Sequence, residues 1–297
     1  MKVVVASDAI AGLSAREASE TIARAFADGG AAVAVIPLAV SGDELRAAVE
    51  VAADGVGFAS PVDAVDAGEA LASALGDLVL DLTATQVAAW GAATLQALGD
   101  DPATALAAAR ERWAGRELVA LVADGQQERP LTGMHGYAAT EGREAGLPLA
   151  QVLEADREGE RWLEALGLEQ GPGSGAAGGL GLLIQAMGGR VVDPLTYLAE
   201  RFLLENTLAQ ADVVVTGAEM LDFHAVGGPI VKRVVALAEA ALRPAVAIVG
   251  RNYVSARELR LAGLETAYPL LPGAGAETST PERLVEVAQQ VATTWSW

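Results

Sequence analysis

The chain contains no cysteine, which excludes disulfides, thiol nucleophiles and Cys-ligated zinc or iron–sulfur centres. Histidine occurs only at His135 and His224, too few for a histidine-rich metal site. Lysine occurs only at Lys2 and Lys232, beside eighteen arginines, so there are few places where a compact ammonium could grip a phosphate. Aromatic residues make up 4% of the chain. The core must therefore be built from Ala, Val and Leu, which suit helices laid on a buried parallel sheet. Positive charge is scarce: 20 Lys and Arg face 39 Asp and Glu, for a net charge of −19. A nucleic-acid backbone or an anionic lipid surface would be repelled at long range, and neither is an expected partner. Membrane-spanning runs are missing too. Residues 82–99 carry Thr and Gln, and residues 170–189 are broken by glycines and Pro172. The first residues reach Asp8 before a signal-peptide apolar region could develop. The expectation is a soluble, cytoplasmic protein.

What is present points to a folded chain. At 52% hydrophobic and 20% charged over 297 residues, there is enough apolar side chain to order the backbone and enough length for two domains. Apolar, β-branched runs at 2–7, 32–37, 78–82, 118–123, 212–216 and 245–249 read as strands. Helical patterns at 15–27, 42–53, 84–98, 102–113, 226–241 and 281–294 lie between them. This alternation predicts an α/β fold with a mostly parallel sheet covered by helices. In such sheets ligands bind beyond the carboxyl ends of the strands. No repeat of solenoid length is visible. Residues 124–148 form an irregular segment too long for a simple connector.

Asp8, Asp124 and Asp222 each fall at or just after a predicted strand, which would bring them to one rim. Carboxylates facing each other there could hold Mg²⁺ or take a proton from a substrate hydroxyl, although an Asp after a strand also serves as an N-cap or turn former. The glycine-dense stretch 171–181 could offer backbone N–H groups to an anion, or simply let a helix approach the sheet closely. His224, two residues after Asp222, suggests acid–base work, while a lone loop histidine is also a common surface residue; His135 carries the same ambiguity. No Gly-Lys-Ser/Thr phosphate loop and no Gly-x-Ser-x-Gly elbow is present.

Five strings, in order along the chain, resemble the bacterial glycerate kinase family, a two-domain α/β family unrelated to P-loop enzymes. Residues 5–15, Val-Ala-Ser-Asp-Ala-Ile-Ala-Gly-Leu-Ser-Ala, are similar to its Asp-Ser-Phe-Lys-Gly-x-Leu-Ser-Ala. Residues 95–99 look like the tail of its Gly-rich segment. Pro130-Leu131-Thr132-Gly133, followed by Gly136 and Ala138-Ala139, resembles Asn-Pro-Leu-x-Gly-x-x-Gly-Ala-Ala. Residues 175–181 match Gly-Ala-Ala-Gly-Gly-Leu-Gly, the most specific of the set. Residues 211–217 with Leu221-Asp222 resemble Ala-Asp-Leu-Val-Ile-Thr-Gly-Glu-Gly-Arg-Leu-Asp.

The resemblance implies a flavodoxin-like domain of residues 1–75 and 165–297 with a smaller inserted α/β domain, 76–164. It implies ATP- and Mg²⁺-dependent phosphorylation of glycerate, a transferase reaction. On this basis Asp8 and Asp222 are the catalytic candidates. Asp124, Arg143, Gly175, Gly178, Gly179, Gly217 and His224 are the candidates for binding substrate or phosphate, and no metal-ligand set is assigned.

Departures from the pattern are as informative. Ala11 replaces a Lys, residues 83–91 have lost polar side chains and glycines, and Gly-Pro-Gln-Lys-Gly reads Gly142-Arg143-Glu144-Ala145-Gly146. His224-Ala225 and Gly227-Gly228 stand where the family has Gln-Thr and Gly-Lys. Phosphoryl transfer depends on positioning and on cations around the moving phosphate, and loss of one such group costs several powers of ten in rate. Arg251 and Lys232 are the remaining cations that could approach from elsewhere. The expectation is a glycerate kinase fold with weakened, lost or redirected chemistry, still binding a small organic acid or a nucleotide. The alternative is a non-catalytic binding, regulatory or interaction protein, with the 84–98 helix and its Trp90 forming a homo-oligomer interface.

Overall fold

The computed structural model describes residues 1–85 and 89–295, with the side chain of residue 89 left aside. Along the chain run β1 (Lys2–Val5), α1 (Ala15–Asp28), β2 (Ala32–Val35), α2 (Gly42–Ala52), β3 (Gly57–Ala59), α3 (Ala64–Ser73) and β4 (Leu78–Asp81). Next come α4 (Ala92–Leu98), α5 (Pro102–Trp113), β5 (Leu118–Leu121), α6 (Tyr137–Glu144), α7 (Leu149–Leu166), α8 (Leu180–Ala186), β6 (Arg190–Val192) and α9 (Pro194–Arg201). The chain ends with α10 (Leu204–Ala209), β7 (Val213–Leu221), α11 (Gly228–Ala240), β8 (Ala245–Asn252), α12 (Ala256–Leu261), β9 (Thr266–Pro269) and α13 (Pro281–Trp295).

Two compact units result, Met1–Ala48 with Leu198–Trp297, and Val49–Tyr197. In the first, the strands lie in the order β2-β1-β7-β8-β9 and every pairing is parallel. With the insertion left out this is the 2-1-3-4-5 order of flavodoxin-like sheets. Val3, Val4 and Val5 are all buried, as expected of a strand covered on both faces. Val3, Val5, Val215 and Ile248 pack on Ile22 and Phe26 of α1 and on Val287 and Val291 of α13. A capping box starts α1: the Ser14 hydroxyl accepts from the Glu17 N–H, and the Glu17 carboxylate accepts from the Ser14 N–H.

The second unit has its own parallel sheet, in the order β3-β4-β5-β6. Its core joins Leu78, Leu80, Leu118 and Ala120 to Leu71, Leu106, Leu180 and Leu183. The parallel α/β architecture is the one expected, but the division differs from boundaries near 75 and 165. Strands β3 and β6 pair in the second sheet, and Val49–Tyr197 takes half of the chain, so the inserted unit is not the smaller one. The cause is local: β3 and β6 are three-residue edge strands, half exposed and containing Gly57 and Arg190, with no apolar run to mark them. Among the described residues no helix is long and apolar enough to cross a membrane.

Candidate functional site

In the first sheet the strand order reverses between β1 and β7, the switch point where open α/β sheets bind ligands. Asp8 stands there, half-buried, its N–H donating to the Gly217 carbonyl at 2.9 Å. Its Oδ1 accepts the Ala9 N–H at 2.7 Å. Its Oδ2 lies 3.9 Å from where a Cβ on Gly228 would stand, at the start of α11, a position that suits a carboxylate because a helix N-terminus carries partial positive charge.

Asp222 follows β7, and its Oδ1 accepts the N–H groups of His224 (2.9 Å) and Ala225 (2.6 Å). These bonds, the Ala225 one foremost, hold its carboxyl below the usual range, with a smaller contribution from the His224 imidazole. The arrangement is an Asx turn. Phe223 and His224 project from that turn, their rings edge to face at 5.7 Å and Phe223 71% exposed. Gly217 lies inside β7 without a positive φ. A Cβ there would come within 2.2 Å of the Ile248 carbonyl oxygen and 2.6 Å of Ile10, so close packing requires this glycine.

A residue that the sequence reading missed, Glu219, ties this rim together. Its Oε2 accepts the N–H of Ala11 at 2.7 Å, where the backbone has a φ of +57°, and its Oε1 accepts the Ser279 hydroxyl. The signal was present but displaced by one position: the family pattern's Glu-Gly-Arg falls on Ala218, Glu219 and Met220. The two spare cations differ in their engagement. Arg251, near the end of β8, donates to the carbonyls of Pro272, Gly273 and Glu277, and Lys232 is exposed on α11.

Asp124 belongs to a different sheet from Asp8 and Asp222, where one sheet was expected to carry all three. It lies exposed in the turn after β5, a strand of the second sheet. Beside that turn opens a cleft of about 640 Å³ lined by Glu128, Arg129, His135, Thr140, Arg143 and Glu144, with Gly125 and Pro130 completing the wall. Arg129 pairs with Glu141 at 2.7 Å. Arg143, on α6, directs Nε to the Ala139 carbonyl (3.3 Å) and Nη2 to that of Met134 (3.2 Å), so each guanidinium keeps N–H groups in reserve. Tyr137, at the start of α6, has its phenol pushed up, first by burial and then by Glu141.

The glycine-dense loop packs against the segment that carries part of this cleft's wall. Gly175, Gly178 and Gly179 are buried. The Gly175 N–H donates to the Arg129 carbonyl at 3.0 Å, and a Cβ there would stand 2.1 Å from the Pro130 oxygen. Gly179, at φ +100°, lies against the backbone of Trp90, 3.1 Å from its Cβ position. The buried Ser174 hydroxyl accepts the Leu131 N–H, and Gln126 Oε1 accepts that of Ala177. The glycines thus serve close packing that fixes residues 126–131.

The expected 84–98 helix begins at Ala92 instead. Trp90 (φ +60°) and Gly91 (φ +75°) are left-handed and break the helix, and residues 86–88 lie outside those described. The indole of Trp90 packs edge-on to Tyr137, 5.6 Å between centroids.

The resemblance implies ATP and Mg²⁺. Mg²⁺ is usually held by one or two carboxylates together with substrate phosphates, so a free carboxylate and a phosphate grip must occur in one place. Among the described residues no three His, Asp or Glu side chains gather as a metal cage. Asp8 keeps an open oxygen, but Ala11 and Gly228 beside it stand where the family pattern has Lys, and the glycine loop is filled by its neighbours. These residues do not fit a triphosphate with its metal.

Comparison with known proteins agrees with the fold. The family model described as the glycerate kinase family matches residues 55–296. Uncharacterised proteins of Mycobacterium bovis (strain ATCC BAA-935 / AF2122/97) and Mycobacterium tuberculosis (strain CDC 1551 / Oshkosh) are each 30% identical over 197 residues, 63% of this chain and 51% of the relative. The chain thus spans about half the length of these curated relatives. A crystal structure of a candidate glycerate kinase 2 from Salmonella typhimurium LT2 superposes with a TM-score of 0.72 at 21% identity, covering 99% of this chain and 98% of that one, a likeness of fold. With five motifs in order and a family match over most of its length, the chain belongs to the glycerate kinase family.

Proposed function

We propose that this chain holds the carboxylate of a small organic acid in the cleft of its second unit, and that phosphoryl transfer from ATP to such an acid is weakened in it. The observation that carries the reading is the cleft itself, where two guanidinium groups, an imidazole and a hydroxyl line one cavity beside Glu128 and Glu144 in a chain of net charge −19. A planar guanidinium edge matches a carboxylate with two parallel N–H donors. The weakened transfer is supported by the missing lysines: Ala11 and Gly228 stand where the family pattern has Lys, and phosphoryl transfer needs such cations.

A thermal-shift titration with glycerate tests the binding. A ligand of the native state alone stabilises by about 2.7 kcal/mol at a hundred times its Kd, and Arg143→Ala should abolish that rise. An unchanged melting temperature at millimolar glycerate removes glycerate as the acid held there. Glycerate-dependent ADP formation at the ordinary kinase rate of about 1–100 s⁻¹, collapsing in Asp222→Ala, would instead make the protein a working kinase.

A further inference from the structure

The charged groups in the 640 Å³ cleft are of both signs and largely do not neutralise one another. Arg129 and Glu141 form an ion pair there. Arg143 bonds only to backbone carbonyls. Glu128 and Glu144 line the same cavity, are exposed, and have no ion pair or side-chain hydrogen bond among the described residues. The wall therefore offers a carboxylate acceptor's partners, the guanidinium edges of Arg129 and Arg143, together with two carboxylates looking for donors.

That pattern discriminates between ligand classes by charge. A di- or triphosphate would meet Glu128 and Glu144 as like charges, which disfavours it. A hydroxy acid would engage the arginines and leave the two glutamates facing weak hydroxyl donors. A zwitterion answers both signs, because its carboxylate can take a guanidinium fork and its ammonium a charge-assisted bond to a glutamate. Polarity narrows the class further. Pro130 is the one apolar ring in a lining otherwise made of polar side chains and Gly125, so nothing there would bury a large aliphatic or aromatic group.

We propose that the cleft of the second unit accepts a small polar α-amino acid in its zwitterionic form, with Arg143 and Arg129 on the carboxylate and Glu128 and Glu144 on the ammonium. This rests on the reading of the cleft as a carboxylate site and names the class of ligand it prefers. Serine and glycerate make a matched pair of probes, since they share carbon skeleton, carboxylate and terminal hydroxyl and differ in ammonium against hydroxyl at the second carbon.

The experiment is calorimetric titration of the full-length chain at pH 7 with each enantiomer of serine and of glycerate. Serine should bind at least ~10-fold more tightly than glycerate, a difference of about 1.4 kcal/mol. The double variant Glu128→Gln/Glu144→Gln should bring the two probes within ~3-fold of each other, and Arg143→Ala should weaken both. These glutamates are exposed and unpaired, so the glutamine variants should fold as the parent does. Glycerate binding as tightly as serine, or a serine preference that survives the double variant, overturns the zwitterion assignment while leaving the carboxylate site standing. Failure of both probes to bind removes the carboxylate site and this assignment with it.

Discussion

Asp222 commits one carboxylate oxygen to two backbone N–H groups, and that geometry holds it ionised. A carboxyl whose folded pKa is depressed contributes stability above its unfolded value of about 3.9, and the contribution is lost as pH falls through the lower folded value. Asp222→Asn keeps an acceptor oxygen but not the charge. The gap in melting temperature between parent and variant should be steady near neutrality and close as pH is lowered past ~4; a gap unchanged at the acid end would mean that the charge does not support the turn. Gly175 shows the same shift of role. With a Cβ position 2.1 Å from the Pro130 oxygen, Gly175→Ala should cost about 3 kcal/mol by overpacking and lower the melting temperature by several degrees. Were the loop an anion cradle with open space, the variant would keep its stability and lose only binding. The motif at 175–181 was legible as a string of glycines, whereas the neighbours each glycine avoids, Pro130 and Trp90, are distant in sequence and no local pattern names them. Glu219 was unreadable for a related reason: its partners Ala11 and Ser279 come from opposite ends of the chain.

At the scale of elements, legibility followed the strength of the local signal. The run of valines after Lys2, the continuous apolar stretch at 118–123 and the Pro-initiated patterns at 102 and 281 predicted β1, β5, α5 and α13 to within a few residues. Strands β3 and β6 escaped because a three-residue edge strand carries no period to detect. The helix expected from 84 starts late because two successive left-handed residues interrupt it, and a Trp in that conformation is not announced by its residue type. Where a helix start is encoded by side chains, its strength can be measured. The Ser14 hydroxyl accepts the Glu17 N–H, and Ser14→Ala removes it, at a cost of about 1 kcal/mol. Because α1 carries Ile22 and Phe26 into the core, the loss should appear as faster amide exchange over the first turn of α1 and a melting temperature lower by a few degrees. Unchanged exchange at Glu17 and Ala18 would show that packing alone fixes the start of the helix.

The whole molecule is two parallel sheets whose hydrophobic clusters share no residue, one encoded by a continuous stretch and the other by two stretches separated by it. Strand–helix alternation foretold a parallel sheet and the resemblance a flavodoxin-like one, but β9 (Thr266–Pro269) carried no expected strand, and the extent of the insertion was hidden because its flanking strands are its weakest. This difference has a direct experimental consequence. Residues 42–201 include β3, β4, β5 and β6, both boundary helices and the Leu71, Leu80, Leu106, Leu118 and Leu180 cluster. Residues 76–164 keep only β4 and β5 of that sheet and lose α8, which brings Leu180 and Leu183 onto it. A two-stranded sheet is marginal in water, and the shorter piece also loses the strands that cover both edges of the pair. The longer fragment, produced alone, should show α/β circular dichroism and a single cooperative urea transition, since it retains a closed core and complete strand pairing. The shorter one should unfold without a transition or fail to fold. Cooperative unfolding of 76–164 with the same steepness per residue would mean that β3 and β6 are appendages rather than parts of the second unit's folding core.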